Sequence, residues 1–453
     1  QDQQLMIVRE SLNLESAFWA QIPGNFKHIR RSAPISTPNF SCFCSLHNYY
    51  TGYTDANHLG GALMLIETPS QTPHYLNLHE VASGRKDDLS KGHTLLIGPS
   101  NAGKTVIMTA IDAMYQKHGI RSFIFDRKLG CEIYVRAMGG IYNRLVPGEP
   151  TGWNPCQMVD TTKNRQFLRD FIAALSTSSF VVLTANDYKQ IADVVERNFS
   201  LPMDKRNLSN ITSFFPLDFS GMEALSRYLR LPDRTGKAGD RAYLFDNDED
   251  ELNLNADALG FDLTHWLSDS GQSPDELLPL SMYLFHRMEA SFDGRLTGIY
   301  LDEGWQFLQQ PYWKEKIQEF LVTLRKSNVF LFLATQLPDK LAESSLSSAL
   351  IQGAATHIFL ANPKAREEDY INSFKLSARE FDIVRQASIQ SRYFLIKQGQ
   401  EAAVGRINLN GLEDYLAVLS GNEKSVQLCE GVRHEVGQHP ADWLPVFQTR
   451  RSL

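Results

Sequence analysis

The chain is short of several things, and each shortage narrows its class. It has five cysteines, Cys42, Cys44, Cys131, Cys156 and Cys429, an odd number at spacings that suit neither a disulfide framework nor a zinc site. Cys42-x-Cys44 alone brings too few ligands for zinc. Free thiols in a reducing compartment are the expectation. Long apolar runs are missing too: the longest, Val329 to Ala334, has the length of a buried strand and not of a bilayer span. There is no signal peptide, internal repeat or low-complexity tract. Positive charge is not in excess. The formal net charge is −7, so no global basic field draws nucleic acid, and DNA binding would need a local patch. An initiator Met is also lacking, since the chain starts at Gln1. We expect a fragment of a longer protein, with any membrane attachment in the upstream part.

What is present is organised around His93 to Thr105, HTLLIGPSNAGKT. Residues 93 to 97 read as a short buried strand. Gly98, Gly103, Lys104 and Thr105 fit the G-x-x-x-x-G-K-[ST] phosphate-binding loop, whose other members are Pro99, Ser100, Asn101 and Ala102. Ile107, Ala110, Ile111 and Met114 keep helical spacing behind it, so the loop opens a helix. Glycines let the backbone curl until successive N–H groups face phosphate oxygens. The helix N-terminus adds a fixed positive field at the same point. Lys104 is expected on the β/γ-phosphates of ATP and the Thr105 hydroxyl on Mg²⁺.

With 453 residues there is room for two or three domains. Residues 1 to 20 read as one helix, followed by a Pro- and Gly-marked loop with a small basic cluster at Lys27, Arg30 and Arg31. Two strands, 61 to 67 and 74 to 79, lead to the phosphate loop. Arg121 to Asp126 reads as the second parallel strand, then comes a short helix at 130 to 138 and a strand at 141 to 146. Alternating strands and helices predict an α/β fold with a parallel sheet covered on both faces. From about Asn154 to Glu289 helical spacing dominates and strand signals almost vanish, which predicts a mostly α-helical insertion. Its acidic run, 246 to 252, reads as a solvated loop or helix edge. Strands resume with LTGIYLDEGW, 296 to 305, where a carboxylate pair ends the strand, then Val329 to Ala334 and Ala355 to Leu360, with helices at 312 to 326 and 366 to 386. Tyr393 to Lys397 and Ala403 to Leu409 suggest an antiparallel pair turning near Gly399. A polar helical tail follows, with Trp443 and Phe447 placed to dock it.

The second constellation is Asp302-Glu303 at a strand end. Phosphoryl transfer needs positioning and charge neutralisation more than covalent chemistry. Asp302 is expected to hold Mg²⁺ opposite Thr105. Glu303 is expected to orient and deprotonate the attacking water. Gln336, ending the next strand, would sense the γ-phosphate or position water. Arg325 lies at the far end of the helix after the Asp302 strand, remote from its own phosphate loop. It could act only on a neighbouring subunit, as a finger on the transition-state charge. Lys326, Arg366 and Arg392 are the reserves. Asp126 and Glu132 flank the turn DRKLGCE: either they touch Mg²⁺ or the base side, or Asp126 caps the helix.

GPSNAGKT, FDRKLGCEI, YLDEGW, LRKSNVFLFLATQ and IFLANP, in this order, resemble the largest ATPase of type IV secretion and conjugation systems, the VirB-four, TrbE and CagE class. The segment from Phe18 to Phe43 resembles the stretch preceding the phosphate loop in that class. The resemblance implies a RecA-like P-loop NTPase of the HerA/FtsK group, with a strand between the Lys104 strand and the Asp302 strand. It divides the chain into 1–90, the end of an N-terminal domain plus lead-in strands; 91–153 and 290–410, the motor core; 154–289, an all-α insertion; and 411–453, a helical tail. It implies work at the cytoplasmic face of the bacterial inner membrane beside other secretion ATPases and inner-membrane channel components, as a homo-oligomer, dimer or hexamer. It also matches Arg325 to the arginine finger of related coupling proteins. The turn after Asp126 departs from the class, which often has a second acid there. Two rivals stand: a DNA-pumping coupling protein, disfavoured by the acidic charge, and a nucleotide-gated scaffold with little turnover, disfavoured by Glu303.

Overall fold

The computed structural model describes residues 11–451 apart from 31, 33, 44–49, 56, 81–90, 179, 231–237, 268–274, 304–315, 318, 322 and 337–346. It forms two compact units, Gln1–Tyr50 and Thr51–Leu453. In the first, the helix expected over residues 1 to 20 is seen at Leu14–Ala20, its earlier half lying outside the described residues. Of the basic cluster, Lys27 sits on a 3₁₀ turn and Arg30 donates to Ser16 Oγ at 3.4 Å, while Arg31 lies outside the described residues.

The second unit is built on one sheet. In chain order the strands are β1 (Met64–Glu67), β2 (Pro73–Leu76), β3 (Thr94–Ile97), β4 (Arg121–Asp126), β5 (Ile141–Arg144), β6 (Ala258–Asp262), β7 (Thr297–Leu301), β8 (Val329–Thr335), β9 (Thr356–Leu360), β10 (Phe394–Gln398) and β11 (Glu401–Gly405). β1 and β2 form an antiparallel hairpin of their own. The other nine described strands run in the order β11-β10-β9-β3-β8-β7-β4-β6-β5. From β9 to β5 every pairing is parallel; β10 pairs antiparallel with both β9 and β11. β8 therefore stands between the Lys104 strand β3 and the Asp302 strand β7.

Strand sequence explains why both faces are covered. Side chains alternate across a strand. Val329, Leu331 and Leu333 of β8 enter one apolar cluster, and Phe330, Phe332 and Ala334 the other. β3 and β4 do the same, with Leu95, Ile97, Phe123 and Phe125 on the first side and Leu96 and Ile124 on the second. All seven residues of β8 are buried, the continuous apolar run that a parallel strand under helices on both sides requires. The helices of 162–226 pack on the first face. The phosphate-loop helix Lys104–Tyr115, the hairpin β1–β2 and the C-terminal helices pack on the second. The tail docks through fully buried Trp443 and Phe447.

Three expectations need correction. The stretch 154–289 is not all helical: Ala258–Asp262 is a buried strand between β4 and β5, and Leu277–Ala290 is a buried helix leading to β7. The alternation that marks a half-exposed strand is absent because β6 is covered on both sides, and its Gly260 is small because Tyr142 lies where a Cβ would be, at 2.2 Å. The acidic run is a loop, with Asp248, Glu249 and Glu251 exposed as expected, but two of its carboxylates are not solvated. Asp246 is fully buried and accepts from Ser209 N at 3.1 Å and Arg230 N at 2.7 Å; Asp250 accepts from Tyr283 OH at 2.6 Å and pairs with Arg287. These carboxylates tie loops together, as buried charges must. The helix expected at 366 to 386 is split into a π-helical turn, Glu368–Ser373, and Ala378–Gln386, whose start is fixed by a Ser377–Glu380 capping box. Of the helix expected at 312 to 326, residues 316, 317, 319–321 and 323 are helical and run into a 3₁₀ turn, Leu324–Ser327, while 312–315, 318 and 322 lie outside the described residues.

Candidate active site

Parallel pairing aligns the C-terminal ends of the strands. Ile97 pairs with Thr335, Leu301 with Leu333 and Phe125 with Leu301. The phosphate loop, Asp302-Glu303, Gln336 and the turn after Asp126 therefore emerge on one edge, where open α/β sheets bind ligands. They line one cleft of about 820 Å³ together with Ser100–Ile107.

The loop's curl needs particular residues. Gly98 passes so close to Leu360 that an added Cβ would lie 2.6 Å from the leucine Cβ. Gly103 has φ +97 and Asn101 φ +61, left-handed values that glycine and asparagine tolerate best. Gly98 N–H donates to Thr335 O at 3.1 Å, fastening the loop to β8. Lys104 is buried and its Nζ donates back to Gly98 O at 3.1 Å and Pro99 O at 3.2 Å. Burial lowers its pKa, and the charges of Glu303 and Asp302 act against that shift.

Asp302 and Glu303 are both buried, at 9% and 4% exposure, although each is acidic. Asp302 N–H donates to Phe125 O at 3.0 Å, which carries the β4–β7 ladder to the strand's end. Burial, then the adjacent Glu303, pushes the Asp302 carboxyl up to about 6, while Lys104 and Arg127 pull it down. Glu303 holds φ +55, a conformation costly for a residue with a side chain. It turns the chain directly after β7 beside the phosphate loop. Gln336 Oε1 accepts a hydrogen bond from Ser100 Oγ, so the end of β8 touches the loop. Lys104, Thr105, Asp302, Glu303 and Gln336 are thus brought together as expected.

Other candidates are not. Arg325 lies on the 3₁₀ turn before β8, at the sheet edge opposite the phosphate loop; its side chain lies outside the described atoms. Lys326 shares that turn, and Arg366 is exposed ahead of the π-helical turn. Arg392 is placed differently from its reserve role. Its guanidinium donates to Asn101 O at 3.0 Å, on the phosphate loop of its own chain. The antiparallel run of β10 is the reason: it starts at the edge where the parallel strands end. Glu132 is buried between Arg136 (2.7 Å) and Arg144 (2.8 Å), away from the cleft wall. Asp126 accepts from Arg127 N (2.7 Å), Cys131 N (2.8 Å) and Tyr142 OH (2.6 Å), so it closes the turn up to Cys131, the residue before the next helix, and makes no bond to that helix's first-turn amides. The sequence reading also missed Arg127, Lys128 and the segment 406–421, all on the cleft wall. Arg127 and Lys128 had a signal, since they follow a strand at its C-terminal end.

Thr105 and Asp302 suit a hard cation, being oxygen donors on one cleft beside the buried Glu303 carboxylate. Among the described residues no cluster of three or more His, Cys, Asp or Glu is placed to hold a metal ion.

The chain is 38% identical to the type IV secretion system protein virB4 of Bartonella henselae over 449 residues, 99% of this chain and 55% of that protein. It is 34% identical to PtlC of Bordetella pertussis over 457 residues, 97% of this chain and 55% of that one. This chain is homologous to the VirB4 proteins of type IV secretion systems. It spans about half the length of the curated relatives it matches and matches no protein-family model. The structure of VirB4 of Thermoanaerobacter pseudethanolicus superposes with a TM-score of 0.61 at 17% identity, covering 79% of this chain and 98% of that one. The fold of the VirB4 homologue is accordingly the RecA-like P-loop NTPase fold. No described helix is long and apolar enough to cross a membrane.

Proposed function

We propose that this chain is the ATP-hydrolysing motor of a bacterial type IV secretion system, powering assembly of the channel or pilus and transport of its substrate. The observation that carries the proposal is the meeting of a phosphate loop with two buried acids and a glutamine on one sheet edge. The loop N–H groups and Lys104 bind the triphosphate. Thr105 and Asp302 hold Mg²⁺, which when bound screens the phosphate charge. Glu303 orients the attacking water and takes its proton, and Gln336, already touching Ser100, senses the γ-phosphate. Arg392, on the loop in cis, helps fix its tip. Arg325 acts on the site of a neighbouring copy in a homo-oligomer, dimer or hexamer. Other secretion ATPases and inner-membrane channel proteins are the partners, at the cytoplasmic face of the membrane.

The test is phosphate release from ATP with Mg²⁺ by the wild-type chain and by Glu303→Gln. Loss of the general base is expected to slow turnover by about 10² to 10⁴-fold while nucleotide still binds. Full turnover by the variant would remove Glu303 from the mechanism. Binding of nucleotide without hydrolysis by wild type at every protein concentration would replace the motor by a nucleotide-gated scaffold.

A further inference from the structure

The cleft does not end with the phosphate loop. Past Thr105 its wall passes along the first turn of the phosphate-loop helix to a segment near the other end of the chain, Arg406–Gly421. That segment is fastened in place. Thr109 Oγ1 donates to Leu419 O at 2.7 Å, Gly421 N–H donates to Gly130 O at 2.8 Å, and Glu67 pairs with Arg406 at 2.8 Å. Its chemistry differs from that of the phosphate end. Ile407 and Leu409 are half-buried, and Leu416 is exposed on the cleft wall. Glu413 lies on the same wall, its carboxylate held by Gly411 N–H at 3.1 Å. A carboxylate there repels phosphate, so this end suits a neutral group. Apolar surface beside a few polar groups is what a flat heterocycle needs.

We propose that Ile407, Leu409 and Leu416 form the nucleoside half of the site, packing on the faces of a purine base, with Asn410 reading the base's edge. The inference rests on the phosphate-loop reading above and extends it. A side-chain amide donates and accepts at once, which matches the adjacent 6-amino group and ring nitrogen of adenine. Asn410 is exposed on the wall, and its backbone N–H is already taken by Asn408 Oδ1 at 3.1 Å, which holds the residue's backbone in place. The 820 Å³ cleft lies within the usual size of small-molecule sites.

The experiment compares binding of ATP and of inorganic tripolyphosphate, which carries the phosphates without a nucleoside, to the whole chain by calorimetry. Leu416→Gln changes an exposed position and spares the fold. It is expected to weaken ATP by about tenfold, the worth of one buried apolar contact, and to leave tripolyphosphate within about twofold. Lys104→Ala is expected to weaken both ligands. Asn410→Ala is expected to shrink the preference for ATP over GTP. Equal weakening of both ligands by Leu416→Gln, or none, overturns the nucleoside site. An unchanged ATP to GTP ratio in Asn410→Ala overturns its part in base reading. If wild type binds neither ligand, the phosphate-loop reading falls and this inference with it.

Discussion

Burial and the neighbouring Glu303 push the Asp302 carboxyl up to about 6, against an ordinary value of 3.8. A group with a raised pKa binds its proton more tightly in the folded chain than in the unfolded one. Stability then falls as pH rises from about 4 through about 6, by an amount of order 3 kcal/mol for this residue. Asp126, pushed up to about 7 by burial, acts in the same direction. Denaturant unfolding between pH 4 and pH 8 is therefore expected to show a falling curve for the wild type and a shallower one for Asp302→Asn. Identical curves would show that Asp302 is not held protonated by its surroundings. ATP and Mg²⁺ are expected to flatten the wild-type curve, because a cation at Asp302 favours the charged form.

The phosphate loop, taken as an element, is constrained from outside. Leu360 of β9 fills the space a side chain at position 98 would need. Gly98→Ala is expected to cost about 1–3 kcal/mol of stability and to weaken nucleotide binding, measured by melting and by titration. The C-terminal helices are held by Trp443 and Phe447, and the aromatic rings lie 6.1 Å apart in an edge contact. Trp443→Ala is expected to destabilise by about 3–5 kcal/mol. Because the segment 406–421 lines the cleft, nucleotide affinity is expected to fall with it, whereas loss of stability alone would mean the tail does not shape the site.

The assembly is the scale at which Arg325 has meaning. Within one chain it stands on the turn before β8, at the edge opposite the phosphate loop. Arg325→Ala is expected to lose hydrolysis, and mixing it with Glu303→Gln is expected to restore part, since a mixed interface can join an intact base to an intact finger. Phosphate release against total protein concentration reads both effects: activity should rise with assembly, and absence of rescue would assign Arg325 to a role within its own subunit.

Much of this was written in the order of residues. Local periodicity and the strand–loop–helix context marked β3, β4, β7 and β8 and the chemistry at their ends, because buried parallel strands are short apolar runs and phosphate loops need fixed glycine spacing. β6 was hidden for the converse reason: ALGFD is covered on both faces and shows no alternation, so only its pairing with β4 and β5 reveals it as part of the sheet. Asp246 looked solvated because sequence records charge and not the donors that fold around it. Arg392 reached the phosphate loop, and residues 406–421 the far wall of the cleft, through contacts between segments remote in the chain. The sequence by itself determined which groups could bind and break a triphosphate. Only the tertiary structure decided which distant segments complete the cleft, since that depends on strand order and direction, which no local pattern encodes.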